Sequence, residues 1–238
     1  MESIKIRGPA KINLKFILPL SFLYLTVYLS ADSIAYKIIS IGTIIEPGPP
    51  LIFPLSYVIG AIIAEVYGSS ISKQIIWLTL IFQMLYALFV SFIIHLPSLS
   101  GDSVSVAYNS VFGGLIHFVS SGTVAVLSSS FINIYLVAKT KVLLDGKYYC
   151  LRNILATAVG GFVLVLIIVL LVYLPVMGVK KAFHMFLFIY ALEVMYTTVL
   201  VFPSWFVCGL LKKYENLDVY DYDVKFNPFK FNGDNNDK

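Results

Sequence analysis

The sequence predicts an all-α fold, a polytopic membrane helix bundle with about six transmembrane helices and both termini cytoplasmic. Three observations carry that reading. Of the 238 residues, 59% are hydrophobic and only 13% are charged, whereas a soluble domain carries about 25% charge. Six apolar runs, at residues 16–36, 51–67, 75–96, 111–138, 154–177 and 183–211, reach or approach the roughly 20 residues that cross a bilayer. The segments between them alternate in basic charge. The N-terminal arm has four Lys/Arg, the segment after the second run one, that after the fourth run four and the tail five. The intervening segments have one, none and two. Basic residues collect on the cytoplasmic side, so both ends are placed there.

The chain accordingly divides into a basic cytoplasmic arm (1–15), a six-span domain (16–211) and a polar cytoplasmic tail (212–238). Lys5, Arg7, Lys11 and Lys15 ahead of an apolar run have the look of a signal peptide. No small-residue cleavage site follows, so the first run is expected to be retained as a helix. The second run is short: seventeen helical residues cover about 25 Å, less than the roughly 30 Å hydrocarbon core, and it is expected to extend into the Ser69–Gln74 loop or to be broken. Glu46-Pro47-Gly48-Pro49-Pro50 before it is not helical, because proline fixes φ and lacks a donor. Residues 38–45 are apolar but too short to span, and are expected to lie at the interface or to re-enter. Ser121, Ala125 and Ser129, and then Ala156 and Gly160, recur every fourth residue, a spacing that lets membrane helices approach closely. The end of the tail is expected to be disordered, and Phe226-Asn227-Pro228-Phe229 is expected to form a turn that docks on the membrane face.

Ionisable groups at membrane depth are costly and mark function. Glu193 lies about ten residues into the last run, near 15 Å by helical rise. Tyr190 and Tyr196 sit at i−3 and i+3, on about the same face. The two readings are a protonated Glu bonded to a neighbouring helix and a site for substrate or a proton. Glu65 lies near the cytoplasmic end of the second run. Arg152 and Asn153 open the fifth run on that side, where an Arg152–Glu65 pair is permitted and would be structural as readily as functional. Asn133 and Gln83 are candidates for hydrogen bonds between helices, and Asp32 for pairing with Lys37. His95, His117 and His184 have no metal-ligand spacing, and Cys150 and Cys208 are read as structural. The chain has no nucleophile elbow, HExxH or phosphate-binding glycine loop. No catalytic residue, metal or cofactor is expected, and the chain is read as non-enzymatic.

Phe53-Pro54-Leu55, Tyr57, Glu65-Val66-Tyr67-Gly68 and Ile76-Trp77 resemble the signature of the queuosine precursor transporter family, also described as vitamin-uptake-transporter-like. Leu151-Arg152-Asn153 with Thr157 is similar to a second family block, and Phe226-Asn227-Pro228-Phe229 to a tail motif of its longer members. The resemblance covers nearly the whole chain. It implies a bacterial inner-membrane importer of 7-cyano-7-deazaguanine or 7-aminomethyl-7-deazaguanine, bases salvaged for tRNA modification. A carboxylate would accept the adjacent N–H groups of the guanine-like edge, with aromatic rings stacking on the base. On this reading Glu65 and Glu193 share the site across the bundle. Tyr57, Tyr190 and Tyr196 are the stacking groups, and Asn133, Arg152 and Asn153 further polar contacts. The chain departs from the family pattern at Ala61, His117, Asn133, Gly161, Leu164 and Glu193. The expected partners are a small-molecule substrate and the lipid bilayer, with no nucleic acid; self-association and an energising subunit stay open. The alternatives are a substrate-binding membrane subunit of a larger energy-coupled transporter and a non-transporting membrane scaffold.

Overall fold

The computed structural model describes residues 15–41, 44–98 and 102–222. Lipid offers the backbone no hydrogen-bond partners, so apolar runs satisfy themselves as helices. The order is α1 (Ile17–Ser33), β1 (Ile38–Ile41), β2 (Ile44–Pro47), α2 (Pro54–Ile94), α3 (Ser103–Phe112), α4 (Leu115–Leu143), α5 (Tyr149–Ile168), α6 (Leu174–Met177) and α7 (Val179–Glu215). Four helical stretches are long and apolar enough to cross a membrane, and α1 is a shorter apolar helix. Large side chains such as Phe89, Phe92, Phe202 and Phe206 are exposed on their outward faces, as lipid-facing surface requires. The fold is a helical membrane bundle.

The longest helix is two limbs joined at one residue. Gly68 has φ 87° and ψ 173° inside α2, a region that is essentially restricted to glycine. Pro54 and Gln83 line one cavity, although a straight helix would hold them about 43 Å apart. The chain therefore folds back at Gly68. The expected loop at Ser69–Gln74 is instead helix, because one glycine supplies the whole reversal. Asp221 Oδ2 accepts the Ser69 N–H at 2.6 Å and the Ser72 hydroxyl donates to the Gly68 carbonyl at 2.8 Å, which satisfies groups that a new helix start leaves open.

The passes can be followed from the contacts. At one end, the Phe16 N–H donates to Glu215 Oε1 at 2.7 Å. At the other end of α1, Asp32 accepts from Gln83 at 3.0 Å, so the expected Asp32–Lys37 pair does not form; Lys37 is exposed. Helix α4 runs from Leu115 and Val119, packed on Ala87, to Lys141 beside Glu65. Helix α5 returns from Arg152, and α7 descends from Ala182, packed on Val165, to Lys212 on Glu65. Among the described residues, α1, the two limbs of α2, α4, α5 and α7 thus run between the same two ends. The chain's first and last described residues meet at the same end.

Several boundaries differ from the expected ones for identifiable reasons. Strands β1 and β2 pair antiparallel with Ile39 opposite Glu46, and beyond them the Gly48 N–H donates to the Lys37 carbonyl at 2.7 Å. The prolines that follow make one 3₁₀ turn, Pro49–Leu51, ahead of α2. The fourth run is split at Gly113-Gly114, where Tyr36 donates to the Gly114 carbonyl at 2.8 Å and a side chain on Gly114 would collide with that hydroxyl. The fifth run starts earlier, at Tyr149, and loosens to a π turn at Val169–Tyr173, one turn before Pro175, whose ring cannot join the preceding hydrogen-bond ladder. The small-residue spacing does bring α4 and α5 together: a Cβ on Gly160 would lie 3.1 Å from the Ser129 carbonyl and 3.2 Å from Asn133 Cβ. Beyond α7, Leu217 packs into the core and the Val219 N–H reaches the Val66 carbonyl at 3.4 Å. Residues 217–221 thus lie over the Gly68 reversal. Residues 1–14 and the tail from 223, with Phe226-Asn227-Pro228-Phe229, lie outside the described residues.

Gly68→Ala should be more harmful than Gly178→Ala. Both place a side chain at positive φ, at a cost of about 1–3 kcal/mol. At Gly68 the new Cβ also lies 2.8 Å from Val219, whereas nothing lies near it at Gly178. Thermal unfolding of the detergent-solubilised variants should rank them in that order.

Candidate functional site

Buried polar groups gather in two places. At the charged end of the bundle, Glu65 on the first limb of α2 is 1% exposed and collects three cations. Arg152 on α5 approaches its two carboxylate oxygens at 3.2 and 3.3 Å. Lys212 on α7 donates at 2.8 Å, and Lys141 on α4 stands at 3.8 Å. Lys141 also donates to the Val219 carbonyl and to Asp218, each at 2.7 Å. Asp218 bridges to Lys212 at 3.0 Å. Arg152 spends its remaining donors on the Lys147, Val137 and Gly146 carbonyls. Desolvating a carboxylate and three cations is tolerable only with partners this complete.

Toward the other end lies a cavity bounded by Ala31, Pro49, Gly122 and Ile189. Its walls are mainly apolar, from α1, the proline turn, the second limb of α2, α4, α5 and α7, with rings from Phe53, Phe118 and Tyr173. Three polar side chains reach it: Asp32, Gln83 and Glu193. Each has oxygen to spare. Asp32 Oδ2, Gln83 Oε1 and both oxygens of Glu193 are buried with no hydrogen-bond partner among the described residues. Buried oxygens without partners are rare and call for an explanation. Each of the four oxygens is able to accept a hydrogen bond, so the cavity suits a solute that brings donors.

Two glycines shape this cavity. A Cβ on Gly161 would lie 2.6 Å from the Glu193 carboxyl carbon and from both its oxygens. The carboxyl therefore rests flat on the α5 backbone, at a spot only glycine leaves free. Gly122 lines the cavity and a Cβ there would meet nothing within 4 Å.

The residues singled out from the sequence are dispersed. Glu65 and Glu193 line different cavities, so they do not form one site across the bundle. The Arg152–Glu65 pair does form. Tyr57 is buried and shares a 2.7 Å hydrogen bond with Ser129. Tyr190 donates to the Ala158 carbonyl at 3.2 Å and stacks on Phe186, and Tyr196 is half-buried further along α7. Asn133 donates to Thr157 at 3.3 Å, and Asn153 to the Tyr149 carbonyl at 3.1 Å. Gln83 does bond another helix, as its placement in an apolar run suggested. Asp32, Lys141, Lys212 and Asp218 were not expected at either place. An intramembrane Asp was signal enough for the first of these. The lysines sit in basic stretches that orientation alone accounts for.

Lys141 and Lys212 keep Asp218 when Glu65 is removed, but Glu65→Leu leaves the buried Arg152 guanidinium without a carboxylate. It should cost the roughly 3–5 kcal/mol of an uncompensated buried charge. Lys212→Met removes a side chain that is 24% exposed and should cost about 1 kcal/mol or less. Unfolding of the two purified variants checks the difference.

A family model described as "Putative vitamin uptake transporter" matches residues 48–207. No curated protein and no solved structure matches the chain. The matched span contains Gln83, Glu193, Glu65 and Arg152, while Asp32, Lys212 and Asp218 lie outside it. Taken with a bundle of membrane-length helices, the match means that the chain belongs to the vitamin uptake transporter family, membrane proteins of small-molecule uptake.

Proposed function

We propose that this protein imports a small planar solute rich in N–H donors, a queuosine precursor such as 7-cyano-7-deazaguanine or its 7-aminomethyl relative, through the cavity at Asp32, Gln83 and Glu193. The observation that carries the reading is the convergence of four unpartnered acceptor oxygens on one apolar, ring-lined cavity. The ring N–H and exocyclic amine of a guanine-like edge are adjacent donors that a carboxylate accepts in pairs, and Glu193 offers two free oxygens. Phe53, Phe118 and Tyr173 offer ring surface for the base. Passage inward is supported by the basic segments, which favour a cytoplasmic location for the charged end. The setting expected for such a carrier is a bacterial inner membrane.

Binding of labelled 7-cyano-7-deazaguanine to the purified protein, with guanine as control, tests the substrate. Glu193→Gln and Asp32→Asn should each weaken binding about 10- to 100-fold, the loss of one charge-assisted hydrogen bond at about 1.5–3 kcal/mol. Unchanged affinity in both variants would overturn the site. Gly122→Ala, whose Cβ meets nothing within 4 Å, should weaken binding by narrowing the cavity while changing stability by about 1 kcal/mol or less, which titration and thermal unfolding of the purified variant check. Uptake into liposomes that carry this chain alone separates an independent carrier from a subunit that needs an energising partner.

A further inference from the structure

A solute held beside Glu193 must leave between α2, α4, α5 and α7, and the charged network lies across that exit. Each of these helices contributes one member: Glu65, Lys141, Arg152 and Lys212. Asp218, from the segment beyond α7, contributes the fifth. Between the network and Glu193, the inward faces of the same helices carry two buried polar pairs, Tyr57 with Ser129 and Asn133 with Thr157. Such pairs join neighbouring membrane helices, and in this position they also suit a path that is wetted in another conformation.

We propose that this network is the inner gate of the carrier, closed in this structure, and that residues 217–221 are the strap that locks it. The proposal rests on the uptake reading above. The network has a fixed layer and a releasable one. Glu65, Lys141 and Arg152 have side chains 1–2% exposed, whereas Lys212 and Asp218 are 24% and 23% exposed. Besides Leu217 in the core and the Lys141 ammonium over the Tyr220 ring, the strap is held by backbone and capping hydrogen bonds. Lys141 donates to the Val219 carbonyl, the Val219 N–H reaches Val66, and Asp221 caps Ser69. Parting Lys212 and Asp218 from their partners frees the end of α7 from α2 and lifts the strap off the Gly68 reversal. Arg152 and Lys141 keep Glu65 neutralised while this happens, so the gate opens without stranding a buried charge.

The test reads access rather than substrate. Thr157→Cys, in a chain with Cys150→Ser and Cys208→Ser, reports on the path. A membrane-impermeant thiol reagent is applied from either side of oriented vesicles. Asp218→Asn and Lys212→Met should each raise labelling from the charged end about fivefold, the 1 kcal/mol at the upper limit of an exposed ion pair converted to a rate, and leave labelling from the other side unchanged. Glu193→Gln should leave both rates alone. Rates at or below the parental value in both gate variants, in protein that elutes and melts as the parent does, overturn the gate. So does an equal rise from both sides, which is loosening of the whole bundle. Neither result depends on which solute binds, so failure here is separable from failure of the uptake reading.

Discussion

The structure depends on the neutralisation of a single carboxylate. Glu65 is sealed inside a helical bundle, where an unpaired charge would be prohibitive. Its three cations come from three different helices, α4, α5 and α7. The requirement to bring them to one point fixes how far each helix slides along its neighbours. Lateral packing of small residues, as at Gly160 against Ser129, sets the distance between α4 and α5 but leaves their axial register to the charges.

The pocket end applies the opposite rule to the same chemistry. Asp32, Gln83 and Glu193 keep oxygens that nothing among the described residues takes up, and Gly161 and Gly122 preserve the space around them. A protein optimised only for stability would pair or replace such groups. The division is between a carboxylate over-supplied with donors at one end and carboxyls deprived of them at the other. That contrast makes the first a point of cohesion in this structure and supports the proposal that the second is the place of recognition.

Much of this was legible in the sequence, for physical reasons that also explain what was not. Membrane runs contrast sharply with their connections, so the helical bundle follows from hydropathy, and the Arg152–Glu65 pair from both lying at basic ends of their runs. Partners across the bundle are another matter. Asp32 seemed to belong with nearby Lys37, but its partner is Gln83 on another helix, because hydropathy gives depth and not azimuth. The same limit joined Glu65 with Glu193 as the two lone carboxylates. Tyr190, three residues from Glu193, is engaged by Ala158 and Phe186 instead. The polar stretch after Gly68 read as a loop because polarity usually marks one; a single glycine at φ 87° made the loop unnecessary. Lys141 and Lys212 were hidden by the general excess of basic residues on their side.

The cap that Asp221 places on Ser69 has a consequence for how the protein is made. The ribosome releases the Gly68 reversal early, when roughly a third of the chain exists, and the helix that starts at Ser69 enters the membrane with its leading amide uncapped. The carboxylate that satisfies it is encoded about 150 residues later, after all the helices have been synthesised. The reversal at Gly68 is therefore completed by a segment that is translated only after α7.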